Sequence, residues 1–102
     1  MPPSQSAVVR GVGISVADAT PRQRMRFHLG SAQGVLVIDV DHGSVGQLAG
    51  LRRGDLITRV NGTRVRNAQA LQQLVAALPS GALVRLNIRR QRRHIFVVLT
   101  KA

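Results

Sequence analysis

The sequence contains no cysteine, tryptophan or tyrosine, and it has only two phenylalanines and four acidic residues. The lack of cysteine excludes a disulfide framework, a thiolate metal site and a cysteine nucleophile. Because aromatic rings are scarce, the chain also lacks the stacking platforms on which single-stranded nucleic acids bind. No apolar run approaches the roughly 20 residues that a transmembrane helix needs, so we expect a soluble protein without a membrane span.

Positive charge is abundant. Fifteen lysines and arginines against four acidic residues give a formal net charge of +11, and every basic residue except Lys101 is an arginine. Such an excess steers polyanions toward a surface without specifying a partner. The arginines are spread from Arg10 to Arg93, so we expect at most non-specific nucleic-acid binding. An arginine-rich polyanion-binding or scaffolding module stays open as the alternative function.

The length of 102 residues and the hydrophobic share of 44% suit a single domain with one core. Residues 1–7 lack the charged segment and the apolar segment of a signal peptide, and we predict that they are a linker. The predicted domain covers residues 8–102.

Hydrophobic periodicity and capping signals predict the first two elements. Residues 8–16 are rich in β-branched side chains and predict one strand that is entered through glycines. Thr20, followed by a proline, predicts the N-cap of a helix over residues 22–29. Met25 and Leu29 are expected on one face of this helix.

The rest of the chain predicts further strands joined by two helical segments. We expect an α+β, mainly β fold: a partly open β-barrel or sandwich of five or six strands, capped by two helices, with a short helical insertion after the first strand. The Asn61-Gly62 pair indicates a hairpin turn, and Asn67 is a good helix N-cap. The expected elements are strands over 34–40, 56–60, 82–90 and 95–100, a helical turn over 45–49 and a helix over 68–78.

Residue types used in catalysis and metal binding occur without the arrangement that such chemistry needs. The serines lack a nucleophile elbow, and the histidines lack metal-ligand spacing and acidic or cysteine companions. We therefore predict no catalysis, no metal site and no cofactor. Asp55 is expected to bind neighbouring backbone amides within the loop over 52–55. The serines and histidines considered are Ser31, Ser44, Ser80, His28, His42 and His94.

The segment from Arg10 to Ile14 has the pattern of a ligand-binding loop. Two glycines, Gly11 and Gly13, allow backbone N–H groups to turn inward as an anion nest, while the apolar residues line an adjacent pocket. A carboxylate beside a hydrophobic side chain suits such a loop. A flexible strand entrance would explain the same two glycines, so the segment alone leaves both interpretations open.

Three stretches resemble one family in order and spacing. The segment RGVGISV resembles the carboxylate-binding loop and first strand of PDZ domains in bacterial HtrA/Deg serine proteases. The stretch GVLVIDVDHGSVGQLAGLRRGDLITRVNGTRV resembles their next strands and the Gly-Asp loop, and NAQALQQLVAALPSGALVRLNIRRQRRHIFVVL resembles their groove helix and last strand pair. The resemblance covers about nine-tenths of the chain.

The resemblance implies a peptide-binding module. The C-terminal segment of a peptide would add as a strand opposite the helix over 68–78. Such modules recruit unfolded or signal proteins to a covalently linked trypsin-like protease domain, or regulate it, in the bacterial periplasm or cell envelope. The module itself would have no catalytic residues. The implied carboxylate-binding residues are Arg10, Gly11, Val12, Gly13 and Ile14, and the implied groove residues are Ser15, Val16, Leu71, Gln72 and Val75.

Overall fold

Residues 8–16 do not form the single strand that their periodicity predicted. In the computed structural model, which describes residues 6–102, strand β1 (Ser6–Val9) is followed by a turn and by strand β2 (Ile14–Asp18). The chain reverses because Gly11 and Gly13 adopt φ angles of +86° and +80°, a region that side chains disfavour. The two strands pair antiparallel, so the segment is a hairpin.

Strand β1 begins two residues before the predicted domain boundary at residue 8. Ser6 pairs with Ala17 and Ala7 pairs with Val16, so both residues belong to the sheet. The rest of the predicted linker, residues 1–5, lies outside the described residues.

Helix α1 (Pro21–Arg26) is the expected helical insertion, but it ends earlier than predicted. The amide of His28 donates to the carbonyl of Met25, and the amide of Leu29 donates to the carbonyl of Arg24, which is the Schellman pattern of helix ends. His28 takes the left-handed conformation there, with φ of +56°. As a result Leu29 is fully buried while Met25 is 80% exposed, and the prediction that they share a face is wrong.

The middle of the chain follows the predicted order. Asn61 and Gly62 have positive φ angles, as the hairpin turn requires. The turn is followed by a two-residue strand, Thr63–Arg64, which the sequence pattern did not predict. The elements are β3 (Val35–Val40), α2 (Val45–Leu48), β4 (Leu56–Val60) and β5 (Thr63–Arg64).

Asn67 caps helix α3 (Ala68–Ala76), as predicted, because its side chain accepts a hydrogen bond from the amide of Ala70 at 2.7 Å. Strands β6 (Leu83–Arg90) and β7 (Arg93–Thr100) complete the chain as a hairpin. Within residues 6–102, three helices accompany an open antiparallel sheet in the order β1-β2-β3-β4-β6-β7, with β5 beside β4, and the buried apolar side chains form two clusters.

Over the part of the chain that the structure describes, the sheet has seven strands, where five or six were expected. The mainly β fold with two capping helices and a helical insertion is confirmed. None of the helices within residues 6–102 is long and apolar enough to cross a membrane.

Candidate functional site

Strand β2 and helix α3 are the two elements that the resemblance assigned to the walls of a peptide groove. At one end the walls are joined by Asp18, at the end of β2, whose Oδ1 accepts a hydrogen bond from the amide of Ala68 at 2.8 Å. This contact satisfies one of the free amides at the start of α3 and fixes the distance between the walls. Asp18 was not among the predicted site residues, because its partner is 50 residues away.

Lys101 fixes the other end of the groove. Its ammonium group donates to the carbonyl oxygens of Val75 and Leu78, at the C-terminal end of α3. Its aliphatic stem lies over Gly11, where a Cβ atom would be 2.6 Å from the lysine Cγ. A cation at this end also interacts favourably with the helix dipole. This role could not be predicted from the sequence, since the isolated lysine belongs to no recognisable pattern.

The loop over residues 10–13 directs two amides at one point. The N–H groups of Val12 and Gly13 both donate to the carbonyl oxygen of Val9, at 3.4 Å and 3.1 Å. Gly11 and Gly13 have positive φ angles, and the two amides converge on one oxygen atom, an arrangement that suits the predicted anion nest.

The outward side of the same loop is anchored by its carbonyl oxygens. The carbonyl of Gly11 accepts from Ala102, that of Val12 from Gly46, and that of Gly13 from Asp41, each at 2.8 Å. Because all three carbonyls are bound elsewhere, the loop amides are held toward the groove.

The contact between the loop and α2 requires glycine on both sides, at Gly13 in the loop and at Gly46 in α2. A Cβ atom on Gly46 would lie 2.8 Å from the carbonyl oxygen of Val12, and one on Gly13 would lie 2.2 Å from the Cβ of Ser44. Ser44 cannot move freely, because its hydroxyl caps α2 by accepting from Gln47 and donates to the carbonyl of Asp41. The glycine at position 46 therefore allows α2 to pack against the loop.

Strand β1 lies inside the groove, between β2 and α3. It pairs with β2 on one side, and on the other the side-chain amide of Gln72 donates to the carbonyl of Val8 at 3.0 Å. Val9 is 1% exposed and belongs to the main apolar cluster. The edge of β2 that the resemblance assigned to a peptide is thus paired with the chain's own first strand.

The structure brings most of the predicted site residues together around Val9. Gly11, Gly13 and Ser15 are half-buried, and Arg10 is exposed. Gln72 contacts the strand in the groove through its hydrogen bond to Val8. The predicted pocket and groove residues that share the buried cluster with Val9 are Val12, Ile14, Val16, Leu71 and Val75.

Outside the groove, Asp55 and Arg90 form an ion pair. Asp55 is 1% exposed, and its oxygens accept from the Arg90 guanidinium at 2.8 Å and 2.9 Å and from the Arg52 amide at 2.9 Å. The hydrogen bonds that Arg90 donates to Asp55, more than the charge of Asp55, raise the pKa of Arg90, although partial burial opposes this shift. The predicted bond to the Arg52 amide is confirmed. The arginine partner was missed, because it comes from a distant strand.

Most of the remaining arginines lie on the surface. One open depression of about 440 Å³ is lined by Arg24, His28, Arg89 and Arg92, with Met25 and Gly30. Of the serines and histidines considered as catalytic or metal-binding candidates, Ser44 caps α2 with its hydroxyl. His28, His42 and His94 are exposed.

Comparisons with known proteins agree on one family. The family model described as PDZ domain matches residues 36–90, which is more than half of the chain. A probable periplasmic serine endoprotease, DegP-like, from Rhizobium meliloti (strain 1021) is 33% identical over 84 residues, covering 81% of this chain and 17% of the relative. A protein of the same name from Pseudomonas fulva (strain 12-X) is 31% identical over 100 residues, covering 98% of this chain and 20% of the relative. The chain thus spans at most about a fifth of these relatives.

Solved structures with the same fold include peptide complexes. The HtrA3 PDZ domain bound to a phage-derived ligand, FGRWV, superposes with a TM-score of 0.76 at 26% identity, covering 96% of this chain and 89% of that one. The HtrA-type protease AlgW with a decapeptide has a TM-score of 0.80 at 20% identity, covering 87% of this chain and 27% of that one, and shows the fold alone.

Proposed function

This chain belongs to the PDZ domain family, and we propose that it binds the free C-terminal end of a peptide as an added strand beside β2. One observation carries the proposal: the amides of Val12 and Gly13 converge on a single oxygen atom between β2 and α3. A terminal carboxylate offers such an oxygen with a full negative charge, which strengthens each hydrogen bond. In the complex, the peptide would take the place that β1 holds.

The proposed site combines this nest with backbone pairing and an apolar pocket. The edge of β2 that β1 occupies would supply strand pairing through Ser15 and Val16 once β1 has left, which gives affinity with little dependence on sequence. The last side chain of the peptide would enter the space among Ile14, Leu71 and Val75. Arg10 would add long-range attraction for the carboxylate, since its side chain is exposed.

The comparisons support a hydrophobic last residue. The phage-derived ligand of the HtrA3 PDZ domain ends in valine. For this chain we expect peptides ending in Val, Leu, Ile or Phe to bind best, with dissociation constants on the order of 1–100 μM, or about −8 to −5.5 kcal/mol. The affinity is modest because a short groove buries little area and must order a flexible peptide.

The curated relatives suggest the setting in which this domain works. They are named as probable periplasmic serine endoproteases. We propose that the domain acts in the bacterial periplasm or cell envelope, as part of a longer protein with a trypsin-like protease domain. There it would present the C-termini of unfolded or signal proteins to the protease or regulate it. The chain described here would bind without cleaving.

Matched peptides test the proposal. Fluorescence anisotropy is measured with two peptides of the same sequence ending in valine, one with a free C-terminal carboxylate and one with a C-terminal amide. We expect the amide to bind about 1.5–3 kcal/mol more weakly, at least tenfold, because the nest then faces a neutral group. Equal binding of the two peptides would refute recognition of the carboxylate.

A further inference from the structure

Strand β1 occupies the groove in the direction that a C-terminal ligand would take. It runs antiparallel to β2, and its last residue, Val9, lies opposite Ile14 beside the loop. The carbonyl oxygen of Val9 accepts the hydrogen bonds of the two nest amides. A carboxylate oxygen of a bound peptide would need this position.

The side chains of β1 also follow the pattern of a ligand. Val9 is buried among the pocket residues, and Ala7 is half-buried and packs against the same cluster. Ser6 and Val8, which alternate with them, are exposed. The inward positions therefore hold a β-branched aliphatic residue at the last place and a small residue two places before it.

We infer that Ser6–Val9 is an intramolecular ligand, which closes the groove until a C-terminal peptide of the same kind displaces it. This inference rests on the proposed function. It also defines the class of external ligand: a free C-terminus with Val or Ile last and a small residue two places before it. The short hairpin connection gives β1 a high effective concentration at the groove, so the closed state dominates without peptide.

An external peptide can still compete, because β1 offers the nest a weaker acceptor. The carbonyl of Val9 is neutral, whereas a terminal carboxylate is charged and forms stronger hydrogen bonds with the same amides. Removing β1 from the groove should raise apparent affinity by the inverse of the fraction of open molecules.

A disulfide tests the closed state directly. Val8 and Ser15 are directly opposite on β1 and β2, and the chain has no cysteine of its own. Directly opposite strand positions lie within the Cα separation that a disulfide spans. Binding of a fluorescein-labelled Ser-Ala-Val-Val peptide with a free carboxylate is measured for the variant Val8→Cys/Ser15→Cys, once in its oxidised form and once in its reduced form. We expect at least tenfold weaker binding by the oxidised form, with wild type in both buffers as the control for the reductant.

A second variant opens the groove. Val9→Asn places a neutral polar side chain at a site that is 1% exposed, so β1 should leave the groove and the same peptide should bind about tenfold more tightly. Val98→Asn is the matched control, because Val98 is 49% exposed on strand β7. Its affinity should stay within about twofold of wild type.

The outcomes separate the inference from the proposed function. Equal binding by the oxidised and reduced forms, or failure of the two thiols to form a disulfide in the folded protein, would overturn the inference. If the free-acid peptide still bound better than its amide, the proposed function would stand. If neither Val9→Asn nor the reduced cysteine variant bound the free-acid peptide better than its amide, the inference and the proposed function would both be refuted.

Discussion

Replacing Gly13 by alanine adds one methyl group to the loop that carries the nest, and the structure predicts a large loss of stability. The new Cβ would lie 2.2 Å from the Cβ of Ser44, which is far inside van der Waals contact. Ser44 cannot relieve the contact by rotation, because its Cβ position is set by backbone that begins α2. Either the loop or α2 must shift.

The magnitude follows from two contributions that a control separates. Gly13 has φ of +80°, and a left-handed conformation costs an L-residue roughly 1–2 kcal/mol, partly offset by the reduced entropy of the unfolded chain. Overpacking adds about 1–3 kcal/mol. Gly43 has φ of +76° with no heavy atom within 4 Å of its Cβ position, so Gly43→Ala should show the backbone contribution alone. We expect about 1 kcal/mol for Gly43→Ala and about 2–4 kcal/mol for Gly13→Ala.

Urea unfolding followed by far-UV circular dichroism measures both losses, since the chain has no tryptophan or tyrosine for fluorescence. Adding Ser44→Gly to Gly13→Ala removes the clashing atom, while glycine at a helix N-cap costs only a few tenths of a kcal/mol. The double variant should therefore be more stable than Gly13→Ala alone. Equal losses at the two glycines, or no rescue by Ser44→Gly, would show that Ser44 does not confine the loop.

Three further predictions concern the rest of the molecule. Asp55→Asn should lower the free energy of unfolding by about 2–4 kcal/mol, since it breaks a largely buried ion pair, whereas Asn at the exposed Asp39 should change it by less than about 0.5 kcal/mol in the same urea assay. Nucleic-acid binding measured by anisotropy should be weak and indifferent to sequence, and salt should abolish it; tight, sequence-selective binding at physiological salt would favour the polyanion-binding alternative. Serine-directed covalent probes should leave the chain unlabelled between pH 5 and 9, and stoichiometric labelling with loss of turnover would contradict a pure binding role. The serines to be monitored by mass spectrometry are Ser31, Ser44 and Ser80.

The sequence determined the local elements wherever the signal lies in neighbouring residues. Asn67 predicted the start of α3, because its side-chain oxygen can reach an amide three residues away. The Asn61-Gly62 pair predicted a hairpin, because both residues tolerate positive φ. Gly11 and Gly13 were expected to allow a turned loop, and both have positive φ angles, which the missing Cβ makes accessible.

Only the tertiary structure decided what fills the groove and what holds it. An apolar residue such as Val9 can be buried against the core or in a ligand position, and the sequence cannot distinguish the two, because both positions have the same apolar signal. The contacts of Asp18 with Ala68 and of Lys101 with Val75 join residues 50 and 26 positions apart. Such contacts depend on how the elements pack, because a single hydrogen bond between distant residues leaves no repeating pattern in the chain.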